Sequence, residues 1–237
     1  MISNVAWQPP KGMEEYLKPT KLVDLNSEII IETTNRVIKD AKTPREVAIK
    51  IFYFVRDGIK FEFVLPSQKA SNVIKRRTGQ CTAKAILTVA MLRAANIPAR
   101  FHFTDLRTEI LKGLASGLTY KVMPKTIGHA DPEVYLDNQW IKIDSTRDKE
   151  ICDLMMKRKI GLSAPNLPKP SIDWDGFHDV SPWDSFLVED FGVHTSPEAE
   201  INNSIRRWRT LRGVLWILLG GWWLSNRNLR KMRKEKP

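Results

Sequence analysis

This 237-residue sequence predicts a mixed helix-and-strand fold, with helices first and antiparallel strands after. Three observations carry that expectation. Apolar residues recur at helical spacing as far as Ala95, and period-two alternation replaces them from Ala99. Farther on, Asp137-Asn138 sits between two short alternating runs as the two-residue turn of a hairpin.

Residues 1–23, with Pro9, Pro10, Gly12 and Pro19, read as an irregular arm. A helix is expected from about Asp24 to Lys39, with Ile30, Val37 and Ile38 among its apolar positions. Thr43-Pro44-Arg45-Glu46 then marks a helix start: a Thr N-cap, a proline at the first helical position and a Glu placed for a capping box. Val47, Ile51, Phe54 and Val55 form its core face, and Asp57-Gly58 ends it. Ile59, Phe61 and Phe63 alternate with Lys60 and Glu62 as an extended segment, and Ala70–Arg77 reads as a short helix. The next helix runs from Gln80 to about Ala95, where Asn96 suits the left-handed position after a helix and Pro98 prevents continuation.

Ala99, Phe101 and Phe103 then share one strand face, opposite Arg100 and His102. Residues 104–128 show no strong period beyond a helix near Leu106–Leu118, which marks them as a functional or mobile connection. Strands are expected at about Ala130–Leu136 and Trp140–Ser145. Residues 150–200, with Pro165, Pro168 and Pro170, read as a loop-rich wrap with one or two short helices. The organisation expected is therefore an arm (1–23), one domain (24–200) and a C-terminal tail (201–237).

With 42% hydrophobic and 27% charged residues, the chain reads as globular. Two cysteines cannot build a disulfide framework, which points to a reducing compartment. Met1–Lys18 lacks a basic start followed by an apolar run, so no secretory signal is expected and the cytoplasm is the default. The net charge of +11 is concentrated in the tail, because residues 205–237 hold ten Lys/Arg and one acid. That argues against a nucleic-acid groove across the main domain.

The stretch Thr78-Gly79-Gln80-Cys81-Thr82 feeds a cysteine into a helix start. A free thiol titrates near ~8.5, and a helix N-terminus favours the thiolate through its unpaired N–H groups and positive dipole end. The same N–H groups can stabilise an oxyanion. A two-residue hairpin turn pairs Leu136 with Gln139, Tyr135 with Trp140, Val134 with Ile141 and Glu133 with Lys142. Extending that ladder sets His129 opposite Thr146, with Asp144 diagonal to it on the same polar face. A cysteine at a helix start and a histidine oriented by an aspartate are the residue types of thiol-based acyl transfer.

These residues carry a family resemblance. Ala70–Arg100, with Arg77-Thr78-Gly79-Gln80-Cys81 and Met91-Leu92-Arg93-Ala94-Ala95-Asn96-Ile97-Pro98-Ala99-Arg100, resembles the first signature of the transglutaminase-like superfamily. Gly128-His129-Ala130, Glu133-Val134-Tyr135-Leu136 and Trp140-Ile141-Lys142-Ile143-Asp144-Ser145-Thr146 resemble the second. Over about residues 40–150 the resemblance implies a papain-like α+β fold, with the nucleophile helix packed on an antiparallel sheet. It also implies Cys81 as nucleophile, His129 as general base and Asp144 as orienting acid.

Thr82 stands where animal-type transglutaminases carry an aromatic, and their flanking β-domains are not expected here, which favours amide hydrolysis over cross-linking. The expected function is a thiol-dependent amide hydrolase or acyl transferase acting through a thioester on a peptide or protein. The alternative is an inactive module of the same fold that binds peptides. The oxyanion would fall to the Cys81 N–H and a second donor, for which Gln80 is the candidate. Cys152 reads as a structural thiol, His102 as a strand histidine and Asp131 as a same-face rival of Asp144. No zinc spacing or phosphate-cradling glycine motif occurs, so no metal or cofactor is expected.

Gly213–Leu224 is an uncharged, tryptophan-rich run flanked by arginines. Twelve helical residues reach only ~18 Å, short of a bilayer's ~30 Å hydrocarbon core. The tail is therefore expected either to contact an anionic membrane surface peripherally or to pack on the protein's own core or on another copy, with nucleic acid the least expected partner.

Overall fold

The structure is a computed structural model that describes residues 8–115, 117–158 and 172–235. The prolines at 165, 168 and 170, and the first seven residues of the arm, lie outside the described residues.

Two helices, α1 (Glu28–Ile38) and α2 (Pro44–Gly58), open the fold. Thr43 caps α2 as expected, its side chain accepting the Glu46 N–H at 3.1 Å. Glu46 completes the cap differently: its carboxylate takes the Lys42 N–H at 2.7 Å. The segment β1 (Lys60–Phe61) pairs in parallel with β2 (Thr78–Gly79), and α3 (Ala70–Arg76) lies between them. This two-stranded ribbon delivers the chain to the start of α4 (Cys81–Ala94).

Helix α4 is buried at every residue from Thr82 to Ala94. It has no polar face because it lies between α1, α2 and α3 on one side and the main sheet on the other. Its two charged residues are therefore bonded internally. Lys84 donates to the carbonyls of Ile59 (2.7 Å) and Arg56 (3.0 Å), and burial lowers its pKa to about 8 against the pull of Asp148 and Asp144. Arg93 donates to the carbonyls of Lys18, Ala99 and Thr195. Asn96 is left-handed (φ 63°), as expected for the residue that stops this helix.

The sheet is antiparallel, in the order β5-β4-β3-β6, from β3 (Ala99–Arg107), β4 (Thr126–Leu136), β5 (Gln139–Lys142) and β6 (Leu187–His194). Ala99, Phe101 and Phe103 face the core with Ala130 and Val134. Asp137 (φ 48°) and Asn138 (φ 64°) form the turn, and all four expected β4–β5 pairs occur.

Four expectations need correction. The helix expected near Leu106–Leu118 is absent: β3 runs on to Arg107, a 3-10 turn covers Thr108–Leu111, and α5 is Gly117–Val122. The hairpin ladder stops at Lys142 instead of placing Thr146 opposite His129. Ile143 still donates to the Pro132 carbonyl, but Pro132 has no N–H to return, and the Asp144 N–H goes to Val180 instead. In the 150–200 wrap, α6 (Lys149–Arg158) was expected in kind, whereas β6 was not. It is an exposed edge strand with register shifts, so it lacks the alternation that betrays a half-buried strand. Finally, the apolar tail run is split. After α7 (Glu198–Arg207), α8 (Leu211–Leu218) and α9 (Gly221–Lys234) are separated by left-handed Gly220.

These last helices cover a second hydrophobic cluster, in which Trp216, Leu229 and Met232 pack with Phe61, Phe63 and Trp183. Polar side chains fasten them to the body. Asn226 bonds both the N–H and the C=O of Phe63, and Arg233 bonds the Phe61 carbonyl and Asp148. Any side chain at Gly221 would place its Cβ about 2.2 Å from the Trp216 ring, so the α8–α9 corner requires glycine there. Among the described residues, no helix is long and apolar enough to cross a membrane.

Candidate active site

Cys81 is the first residue of α4, with Gln80 at the N-cap. Its thiol lies 3.8 Å from the Gly128 carbonyl and 3.8 Å from the Gln80 side-chain oxygen. The next residue on β4, His129, is 4% exposed and turns Nε2 toward two carboxylates: Asp131 Oδ1 at 3.2 Å and Asp144 Oδ2 at 3.4 Å. The contact to Asp144 is an ion pair without hydrogen-bond alignment, so Oδ2 is a buried acceptor with no hydrogen bond among the described residues. The other oxygen of Asp144 accepts the Thr146 N–H at 2.7 Å, a local turn that fixes the carboxylate.

The sequence-predicted Cys81, His129, Asp144 and Gln80 are thus brought together. Asp131 joins them: two residues along the strand from His129, it shares that residue's face and meets the ring directly. This parity is legible in the sequence, but which carboxylate meets the imidazole depends on the path taken after Lys142.

Electrostatics follow from that crowding. Burial pulls the His129 pKa down, yet the charge and hydrogen bond of Asp131, with Asp144 and Cys81 adding to them, hold it well above 6.5. Burial raises the Asp131 carboxyl, opposed by His129 and reinforced by Asp144. A protonated imidazole between two carboxylates suits this arrangement. His129, Asp131 and Asp144 also offer three donor atoms within 4.8 Å of one another, the one such group among the described residues. A cation there would need the Nε2 lone pair in place of its proton.

The thiol and imidazole open on a cavity of about 330 Å³ with a mostly apolar lining. Arg147, which the sequence reading did not single out, lines it too. Its guanidinium lies over Trp183 (4.5 Å) and Phe61 (5.5 Å), and burial lowers its pKa. No sequence signal marks it, because its role depends on ring faces drawn from distant segments.

The other titratable candidates lie apart. His102 is bonded to Glu133 (2.9 Å) and Asp190 (2.7 Å) and not to the thiol. Cys152 is buried, and burial pushes its thiol up to about 12. The tail reaches the site itself: a Cβ on Gly128 would lie about 2.3 Å from the Ser204 hydroxyl of α7.

Residues 31–145 match the family model described as the transglutaminase-like superfamily. A crystal structure of a candidate cysteine protease from Cytophaga hutchinsonii aligns with a TM-score of 0.50 and 16% identity, covering 80% of this chain and 49% of that one. Its likeness is one of fold, and the present chain spans about half its length. A red sea bream transglutaminase aligns more loosely, with a TM-score of 0.36, 14% identity, and coverage of 72% of this chain and 28% of that one. No curated protein matches the sequence.

Proposed function

We propose that this transglutaminase-like chain is a thiol-dependent amide hydrolase or acyl transferase that works through a thioester on Cys81. His129 acts as acid and base, Asp144 and Asp131 hold its ring, and a peptide or protein amide is the default substrate. The observation that carries the reading is one buried imidazole with a thiol at a helix start on one side and two carboxylates on the other.

With Nε2 committed to the carboxylates, Nδ1 is the ring atom left for the thiol. His129 takes the Cys81 proton, and its raised pKa favours the resulting imidazolium–thiolate pair. The thiolate attacks the carbonyl carbon, and the oxyanion meets the Cys81 N–H at the start of α4. Gln80 supplies the second donor if its amide, 3.8 Å from Sγ, turns to present its NH₂ group. His129 then protonates the leaving amine, and water or a second amine, deprotonated by His129, cleaves the thioester.

Iodoacetamide labelling near neutral pH tests this. Fast modification of Cys81 that slows markedly in His129→Ala is expected. Equally slow labelling of Cys81 and Cys152 would favour a binding module of the same fold.

A further inference from the structure

The C-terminal helices have two apolar sides. Ile205, Trp208, Val214, Trp216, Ile217 and Trp222 line the cavity beside Cys81. The same helices hold Leu211, Leu218 and Trp223 out to solvent, exposed by 76%, 75% and 65%. Val214 and Ile217 belong to both sides, lining the cavity while 48% and 49% exposed, and Leu65, also lining it, is 53% exposed. Apolar surface is therefore continuous from the outside of α8 to the thiol. A patch of this kind on a folded protein marks a docking site.

The surrounding charge selects the occupant. No acidic residue occurs between Ile205 and Lys234. Arg207, Arg230 and Arg233 are taken up by Asp105, Glu62 and Asp148, and Arg212 donates to two backbone carbonyls. Arg206, Arg209, Arg227, Lys231 and Lys234 remain exposed on the same C-terminal segment, and Arg227 lies against Trp223. Exposed leucines and tryptophan on helices whose free charges are all cationic match the interface of an anionic bilayer, where acyl chains receive the former and headgroups the latter. A second copy would bring the same excess of positive charge against itself.

The cavity selects the chemistry. Its lining is mostly apolar, and the few polar members besides Cys81 and His129, namely Gln80, Thr82, Thr146, Arg147, Ser204 and Arg209, would leave most amides of a polar peptide without replacement for lost water. At about 330 Å³ it lies near the lower end of the ~300–1,000 Å³ usual for small-ligand sites, room for one flexible chain but not for a headgroup.

We propose that α8 and α9 seat the protein on an anionic membrane and that the cavity receives the hydrocarbon chain of a membrane-borne acyl lipid, presenting its carbonyl to Cys81. This rests on the thiol acyl-transfer reading and names its substrate class. The thiolate forms an Sγ–C bond to the acyl carbon as the ester C–O or amide C–N bond breaks, and His129 gives its proton to the departing alcohol or amine. Water or a primary amine then attacks the thioester, yields its proton to His129 and releases the thiolate.

Two measurements on the full chain test the proposal. Flotation with phosphatidylcholine vesicles, with and without phosphatidylglycerol, is expected to show at least tenfold stronger binding to the anionic set. That binding should weaken with salt and be lost in the Leu211→Asp/Leu218→Asp pair, whose sites are already exposed. Burst acylation of Cys81 by p-nitrophenyl esters, from acetyl to decanoyl, is expected to accelerate at least tenfold along the series. Val214→Trp, which fills the cavity, should shorten the preferred chain; the wild-type series stands without that variant if it does not fold. An acetyl burst with no chain-length gain, or binding indifferent to anionic lipid, overturns the inference and leaves the thiol chemistry standing. A dimer that ignores vesicles overturns it in favour of a second copy. Absence of any burst together with slow iodoacetamide labelling sinks the thiol reading itself, and the inference with it.

Discussion

The two hydrophobic clusters of this molecule are closed to different degrees. Around α4, helices and sheet cover every side, and even Lys84 and Arg93 are bonded to carbonyls within the protein. Under α8 and α9 the covering is one-sided: Trp216 is fully buried while Leu218, two residues on, is 75% exposed. Polar satisfaction does not separate the two. Trp216 Nε1, Trp183 Nε1 and Ser225 Oγ are buried without hydrogen-bond partners among the described residues under the tail, as are Thr34 Oγ1 on α1 and Asp144 Oδ2 at the site. A closed cluster makes a rigid platform for Cys81 and His129. A cluster covered on one side only is the part expected to open first.

That contrast can be broken most severely at the imidazole. His129→Gln is expected to lower ester or amide turnover by ~10²–10⁴-fold, the usual worth of a positioned acid–base. Steady-state kinetics check this, and a wild-type rate would separate the platform from the chemistry altogether.

Next in size is the tail. Trp216→Ala should cost about 3–5 kcal/mol and Leu218→Ala no more than ~0.5 kcal/mol in urea unfolding, because one is core and the other surface. Equal costs would mean that the second cluster does not hold α8. Gly221→Ala, which drives a Cβ into the Trp216 ring, is expected to cost about 1–3 kcal/mol in the same assay.

The pH dependence sharpens the platform side. His129 binds its proton more tightly folded than unfolded, so its contribution to stability is complete below 6.5 and fades as pH rises through the raised folded value. Protonation of the leaving group fails in that same upper range. The alkaline limb of kcat/KM should therefore lie well above 6.5 and move to lower pH in Asp131→Asn. A limb that stays put in that variant would leave the ring to Asp144 alone.

Smallest is the α2 cap at the exposed edge of the first cluster, where Thr43→Ala should cost ~1 kcal/mol in thermal or urea unfolding.

Much of the platform was legible in the sequence. The Thr43 cap, the stop at Asn96, the Asp137-Asn138 turn and the four hairpin pairs are set by hydrogen bonds and alternation within a few residues, which is where sequence patterns speak. Of the candidate site, the grouping of Cys81, His129 and Asp144 was legible. It was not legible at Pro132, where one missing N–H sends residue 144 to Val180 and leaves both carboxylates on Nε2. Nor was β6, because an exposed edge strand carries no burial pattern to read.

By itself the sequence determined the thiol at a helix start, the polar face that holds the imidazole and the charge imbalance of the C-terminal segment, all consequences of local geometry and composition. Tertiary structure alone decided that α7, α8 and α9 fold back over the thiol, that Arg147 lies between two rings and that Asp131 shares the histidine with Asp144. Those arrangements depend on which distant surfaces exclude water from one another, and burial of that kind leaves no period in the chain.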